Sequence, residues 1–488
     1  MIDLTVHEGQ LARTVERARE RGIIVPTFAQ MRDPSLIPAS IVERLRDIGL
    51  WDLHSLNLFR ITWKNEPTAH GGGFGGVNYL EFPPELTGVP ARIIALVGKW
   101  FPTGAHKVGA TFGCLAPRLV TGQFDPTFHK AVWPSTGNYC RGGAYDANLL
   151  ACESIAILPE EMSKERFDWL AKVAGEVIAT PGCESNVWEI FQKCKELQAT
   201  RDNIMVFNQF DEFGNHLWHY DVTGHAMEEV LDAELEDAEY AGVVLTSGSS
   251  GTMGCGDYLK ERFPRSKLVV SEALQCPTLL ENGFGGHRIE GIGDKHVPWI
   301  HNVRNTDMVV AIDDEDTMSL VRLFNEDEGR RHLESQGVPT QLVEQLDLLG
   351  ISSIANLLSA IKFAKYYELD DSDVVLTVLT DSMELYQSRV KELQDAHGSY
   401  SRTDAAVDYE AHLLGMKTDA MLELGYRERK RIHNLKYYTW IEQMGRSAEE
   451  LDAQWYDFPG YWDRIHRLVD DIDGQIVAFN EESGLLDT

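Results

Sequence analysis

The chain has 488 residues, 43% of them hydrophobic and 25% charged, enough apolar material for a large core in two or three domains. Its 76 acidic against 45 basic side chains leave a net charge of -31, which repels phosphate backbones and anionic lipid and argues against nucleic-acid or membrane-surface partners. Seven cysteines, odd in number, scattered and without a Cys-x-x-Cys pair, predict neither a disulfide framework nor a zinc site; no metal is expected, and a reducing cytosol fits best. No apolar run reaches membrane-spanning length, and the charged amphipathic stretch at residues 13–21 is unlike a signal peptide.

Residues 1–60 mix charged helix-like pieces with Pro26, Pro34 and Pro38 and read as an extension packed on the main body. The glycine run at 70–76 lacks the Gly-x-Gly-x-x-Gly spacing of a phosphate loop and reads as a flexible loop near the mouth of a cleft. An apolar run at 91–97 then leads through Pro102-Thr103-Gly104 to Lys107, where a helical pattern of Ala110, Phe112, Leu115 and Leu119 begins. A lysine at such a strand-to-helix junction sits on rigid elements and faces a cleft, where desolvation lowers its pKa and makes its amine a nucleophile. A surface lysine at a helix start gives the same pattern.

A short apolar segment from Lys130 ends in Ser135-Thr136-Gly137-Asn138, and a helical run follows at 145–152. Hydroxyls, a glycine and an amide at a helix start suit a bound carboxylate, although they equally make a good helix cap. Segments 154–159, 163–175 and 176–179 give the β-α-β rhythm of a parallel sheet. The acidic residues between 228 and 239 read as the solvated face of a helix. A buried strand at 243–246 then runs into Ser247-Gly248-Ser249-Ser250-Gly251-Thr252 before a helix at 255–262. Converging backbone N–H groups and the helix dipole favour an anion there, and a plain tight turn is the alternative. Segments 268–273, 308–312 and 374–379 read as further buried strands, and 316–324 as a helix; beyond about residue 400 the pattern is helical and rich in charge and tryptophan.

Thr103-Gly104-Ala105-His106-Lys107 resembles the Schiff-base lysine motif of tryptophan synthase β-subunits, which are fold type II pyridoxal phosphate (PLP) enzymes. Four later segments resemble cysteine synthase and cystathionine β-synthase of the same family: the loop Ser135-Thr136-Gly137-Asn138, the cup Gly248-Ser249-Ser250-Gly251-Thr252, the string Gly286-His287-Arg288-Ile289-Glu290-Gly291-Ile292-Gly293, and Thr380-Asp381-Ser382. The resemblance implies that Lys107 and His106 contact the cofactor, that the cup from Gly248 to Thr252 holds its phosphate, that Asn138 reaches its 3'-oxygen, and that Ser382 meets its ring nitrogen. It further implies that Ser135, Thr136, Gly137, Asn138, Gln209 and Gly291 face the substrate. The family's Asn-Thr-Pro-Leu stretch before the lysine is not recognisable, and Tyr139-Cys140 stands where a Thr-Gly pair is usual. That bulk implies altered specificity, with the Tyr139 phenol as an acid or orienting donor. Arg141 reads either as a contact to a second substrate acid group or as a solvated side chain. Nineteen residues, 330–348, interrupt the family's Glu-Glu-Gly to Gly-Ile-Ser-Ser segment and are expected near the cleft.

The implied fold is α/β: two open α/β domains of fold type II with the cofactor in the cleft between them, plus a helical carboxyl-terminal extension. The expected division is an amino-terminal extension (1–60), a larger PLP-binding domain (61–114 and 231–400), a smaller mobile substrate domain (115–230) and the extension (401–488). The implied reaction is PLP-dependent β-replacement or β-elimination, through an aminoacrylate, on a small amino acid such as serine, O-acetylserine or cysteine, by a cytoplasmic homodimer. Elimination to a keto acid and ammonia is one alternative, and a non-catalytic PLP-binding or partner-binding protein is another.

Overall fold

Apolar runs bounded by turn residues become two sheets, because each run buries its side chains only against covering helices. The computed structural model describes residues 2–135, 137–182, 186–293 and 295–486. Its strands are β1 (Tyr79–Phe82), β2 (Arg92–Val97), β3 (Lys130–Pro134), β4 (Glu153–Pro159), β5 (Glu176–Thr180), β6 (Ile204–Val206), β7 (Glu239–Thr246), β8 (Lys267–Ala273), β9 (Met308–Ile312), β10 (Asp373–Leu379) and β11 (Met421–Glu423). The larger sheet runs β1-β2-β10-β7-β8-β9-β11 and the smaller β5-β4-β3-β6. The smaller sheet is parallel throughout. In the larger sheet only the edge strands β1 and β11 run antiparallel to their neighbours. The mixed, two-sheet α/β architecture is the one the sequence implied.

Helix Ile351–Tyr366 is buried on nearly every face, as its uniformly apolar sequence requires, and it packs across the middle of the larger sheet against β10, β7 and β9. Residues 330–348 join this side of the molecule: Leu333, Val338, Leu342, Val343 and Leu346 are buried in the same apolar cluster as Met318 and Phe324. The last turn of the insertion, Leu346–Leu348, packs against Met383–Leu385, directly after the Thr380-Asp381-Ser382 segment. The acidic run lies mostly on a solvated face, with Glu229, Asp232, Glu236, Asp237 and Glu239 exposed, and three of its carboxylates also reach neighbouring elements. Glu228 accepts from Tyr258 and Arg262, Glu229 pairs with Lys64, and Glu234 holds Tyr79 and Arg92, so these carboxylates tie helix Gly224–Glu234 to its neighbours.

The two terminal extensions pack on the body and on each other. Asn480 on helix Leu468–Ser483 donates to Val25 O at 2.7 Å and accepts from Val25 N at 3.0 Å. Asp473 accepts from the N–H groups of Phe28 and Ala29 at 2.7 and 3.0 Å, which supplies a carboxylate at the start of helix Phe28–Arg32. Further along, Lys436 is fully buried and donates to Trp299 O, His301 O and Gln454 Oε1 at 2.9, 2.7 and 2.8 Å. The tail is not only helical, because β11 comes from it. Among the described residues no helix is long and apolar enough to cross a membrane, and the described cysteines are all free and buried.

Asn480→Ala leaves both Val25 backbone groups buried and unpaired. It is expected to lower unfolding free energy by about 2–3 kcal/mol, read as a lower urea midpoint at unchanged slope; a change below about 0.5 kcal/mol would show that this pairing does not hold the termini together.

Candidate active site

Lys107 opens helix Lys107–Val120 directly after β2 and the turn that follows it. Its ammonium donates to Ser249 Oγ at 3.0 Å. Ser249 lies in the loop between β7 and helix Met253–Arg262, so the lysine from one crossover meets the loop of another at the carboxyl ends of parallel strands, where open α/β sheets bind ligands. Asn215, on helix Phe213–Trp218, donates to the same Oγ at 3.0 Å and to Gln209 O at 3.0 Å.

The loop is shaped as an anion cup. Ser250 holds a left-handed backbone at φ 60°, and its hydroxyl lies 2.6 Å from that of Ser247. A Cβ on Gly251 would stand 1.9 Å from Asn215 Oδ1, and one on Gly248 would stand 2.8 Å from Gly291 O, so the backbone passes its neighbours more closely than any side chain allows. The backbone N–H groups of Gly248, Ser249, Ser250 and Thr252 donate to no group among the described residues. Four such donors at the amino-terminal end of a ten-residue helix fit a phosphate group.

Lys107, Ser135, Gly137, Asn138, Tyr139, Gln209, Gly248, Gly291, Ile292 and Thr380 line one cavity of ≈ 30 Å³. Gln209 donates to Ser135 Oγ at 3.3 Å, and Gly137 N donates to the same oxygen at 3.2 Å. Asn138 Nδ2 donates to Asp381 Oδ2 at 2.6 Å while its Oδ1 is buried without a partner among the described residues. That leaves an acceptor aimed at whatever fills the space. Thr136 lies outside the described residues.

Other predicted residues are placed differently. His106 is buried between Trp63 and His219, with ring centroids 5.5 and 5.0 Å away; burial, then Lys107, pushes its pKa down to about 3, so the ring is neutral. It does not line the cavity. Tyr139 lines the cavity, but its ring packs on Trp133 and its hydroxyl donates to Cys114 Sγ at 3.5 Å, and burial raises the phenol's pKa well above its usual range. Ser382 is buried just outside the lining, and Thr380, two residues earlier, takes the place at the wall. Arg141 is not solvated: it is buried, donates to Thr103 O at 2.9 Å and lies over the Trp169 ring.

Sequence reasoning missed Asn215, Asp381 and Arg166. Asp381 accepts from Tyr386 OH at 2.7 Å as well as from Asn138, and burial raises its pKa. Arg166, fully buried, donates to Tyr386 OH at 2.8 Å, pairs with Glu290 at 3.1 Å, and would stand 2.0 Å from a Cβ on Gly137. Asp381 lies within the Thr380-Asp381-Ser382 segment, next to Ser382, which was a usable signal. Asn215 and Arg166 carried none, because a buried polar residue on a short helix reads like a solvated one.

The family profile described as pyridoxal-phosphate dependent enzyme matches residues 101–337. A probable cysteine synthase of Bacillus subtilis is 30% identical over 289 residues, which is 59% of this chain and 85% of that protein. Among solved structures, the O-acetylserine dependent cystathionine β-synthase of Helicobacter pylori superposes with a TM-score of 0.53 at 25% identity, over 64% of this chain and 94% of that one. A hydrogen sulfide-producing enzyme of Fusobacterium nucleatum gives a TM-score of 0.53 at 24% identity, over 65% and 88% respectively.

Gly251→Ala drives a methyl into Asn215 and spoils the cup. The variant is expected to bind a phosphate ester at least about 10-fold more weakly by absorbance or fluorescence titration, equivalent to about 1.4 kcal/mol; unchanged affinity would place the phosphate elsewhere.

Proposed function

Because the chain belongs to the pyridoxal-phosphate dependent enzyme family, we propose that it carries out β-replacement or β-elimination on a small amino acid bearing a leaving group at Cβ. The single observation that carries this reading is the 3.0 Å contact of Lys107 Nζ with Ser249 Oγ, which sets a nucleophilic amine at the rim of a phosphate-shaped cup. In this reading the N–H groups of Gly248, Ser249, Ser250 and Thr252 would hold the cofactor phosphate, and Lys107, Asn138 and Ser382 would hold its aldehyde, its ring oxygen and its ring nitrogen. When bound, pyridoxal phosphate supplies an electron sink that acidifies the substrate Cα–H and eases departure of the β-substituent.

The chain's own residues do the rest. Ser135, Gly137 and Gln209 receive the substrate carboxylate, which fixes the Cα–H bond relative to Lys107. The Lys107 amine takes the Cα proton and returns it at the end of the cycle. Gly291 lets the backbone approach the substrate amine closely. Residues 115–230, built around the smaller sheet, form the unit that closes over the substrate and excludes water. Contacts consistent with closure join helix Lys164–Val173 to the residues around 386–389, with Glu165 accepting from Ser388 N and Oγ at 2.8 and 2.7 Å.

Elimination to a keto acid and ammonia is the second reading. It is favoured by a residue as bulky as Tyr139 among those lining the cavity, which narrows the space for a second substrate. The proposal extends to a cytosolic homodimer that binds no nucleic acid. Free buried thiols suit a reducing compartment, the net charge of -31 opposes phosphate backbones, and exposed aromatics such as Phe284, Tyr438 and Tyr456 offer surface for a second copy.

The test is to mix PLP-loaded protein with serine, O-acetylserine, O-phosphoserine, cysteine or threonine, with and without sulfide or homocysteine. A new thiol or thioether amino acid establishes replacement, and keto acid with ammonia establishes elimination. Lys107→Ala is expected to lower turnover by about 10³-fold or more; full activity in that variant would sink the catalytic reading and leave a binding protein.

A further inference from the structure

Behind the phosphate cup, three fully or almost fully buried side chains from distant parts of the chain face one another. His216 comes from helix Phe213–Trp218, Asp257 from helix Met253–Arg262 and His466 from helix Gly460–His466 in the carboxyl-terminal extension. The two Nε2 atoms are 3.0 Å apart. Asp257 Oδ2 stands 3.7 Å from His216 Nε2 and 3.9 Å from His466 Nε2. These separations are too long for hydrogen bonds, and they set a buried carboxylate oxygen within 4 Å of two ring nitrogens. A triangle with those sides has one point about 2.1 Å from all three atoms, the ordinary length of Zn–N and Zn–O bonds.

We propose that His216, Asp257 and His466 bind a divalent transition-metal ion of the zinc class, a site that uses none of the cysteines. Outer groups of the kind a metal site uses surround Asp257 and His466, while Nδ1 of His216 is buried with no partner among the described residues. Asp257 Oδ2 and Oδ1 accept from Asn302 and Asn305 at 2.8 Å each, which fixes the carboxylate. The other ring nitrogen of His466, Nδ1, lies 3.4 Å from Glu261 Oε1, and Tyr220 donates to Glu261 Oε2 at 2.9 Å. A cavity of ≈ 410 Å³ lined in part by Tyr220, Glu261, Asp463, His466 and Asp470 leads from solvent to His466, and its carboxylates draw a cation inward.

Without an ion, the two rings lie within 5° of one plane and one imidazole donates to the other. The ion takes the lone pairs of both Nε2 atoms, so the hydrogen between them leaves and each ring carries its hydrogen on Nδ1. The site joins the carboxyl-terminal extension to the helix whose Asn215 supports Ser249, so its role is to pin the extension behind the cup. It holds whether or not the β-replacement reading does.

The experiment uses the full-length, PLP-loaded protein, stripped of metal with EDTA and titrated with cobalt(II), then with zinc. One cobalt per chain is expected, with the intense visible bands of a four-coordinate nitrogen and oxygen site that an equimolar amount of zinc abolishes. His466→Ala is expected to weaken zinc binding at least about 100-fold while Asp463→Asn, at the cavity mouth, changes it less than about 3-fold. Asp257→Asn keeps the packing if His466→Ala fails to fold, and it should also lose the cobalt bands. Absence of stoichiometric binding by the wild-type protein, or unchanged affinity in both ligand variants, overturns the proposal.

Discussion

Two helices meet backbone to backbone at the centre of the molecule. A Cβ on Gly214 would stand 2.1 Å from Gly113 O, and one on Gly109 would stand 2.1 Å from the Trp218 ring, so the backbones of helix Lys107–Val120 and helix Phe213–Trp218 meet directly at Gly113 and Gly214 while the Trp218 ring packs flush on Gly109. That approach is what sets Lys107 on one helix and Asn215 on the other at the same 3.0 Å from Ser249 Oγ. It also sets His216, one residue on, facing the helix behind the cup. A single methyl at either glycine would push the helices apart by more than the tolerance of a hydrogen bond.

The second constraint is electrostatic. Arg166, Arg141, Asp381 and Glu290 are all buried around the loop at residues 135–138, where unpaired charge is untenable. They are reconciled in a chain: Arg166 to Glu290, Arg166 to Tyr386, Tyr386 to Asp381, and Asn138 to Asp381. Burial and the neighbouring Arg166 bring the Arg141 pKa down to about 10. Removing one member of such a set strands its partner, at a cost of about 3–5 kcal/mol, so the chain favours one arrangement of the loop relative to β10. Arg389 extends it by pairing with Glu290 at 2.6 Å and donating to Glu161 O.

The extensions complete this core. A parallel sheet leaves unpaired edges, and here β1 and β11, both outside the span of the matched family profile, cover the two edges of the larger sheet in antiparallel pairing. Lys436 and Trp440 then supply donors to the carbonyls of Trp299, His301 and Val297, which a loop buried beneath the tail requires.

The sequence by itself determined the elements and the chemistry that depend on local pattern. Apolar runs such as 91–97, 243–246 and 374–379 are strands because nothing but a covered sheet buries them, and Lys107 and the small residues at 248–252 stand at strand-to-helix turns because turn chemistry is local. Tertiary structure alone decided what depends on residues far apart in the chain. It turned the Tyr139 hydroxyl to Cys114, put Thr380 in the cavity wall, and buried Arg141 and Arg166. It also brought His466 to His216 across 250 positions. A periodicity records whether a side chain is buried, but not which partner meets it there, and these partners are chosen by the crossing of helices that share no sequence neighbourhood.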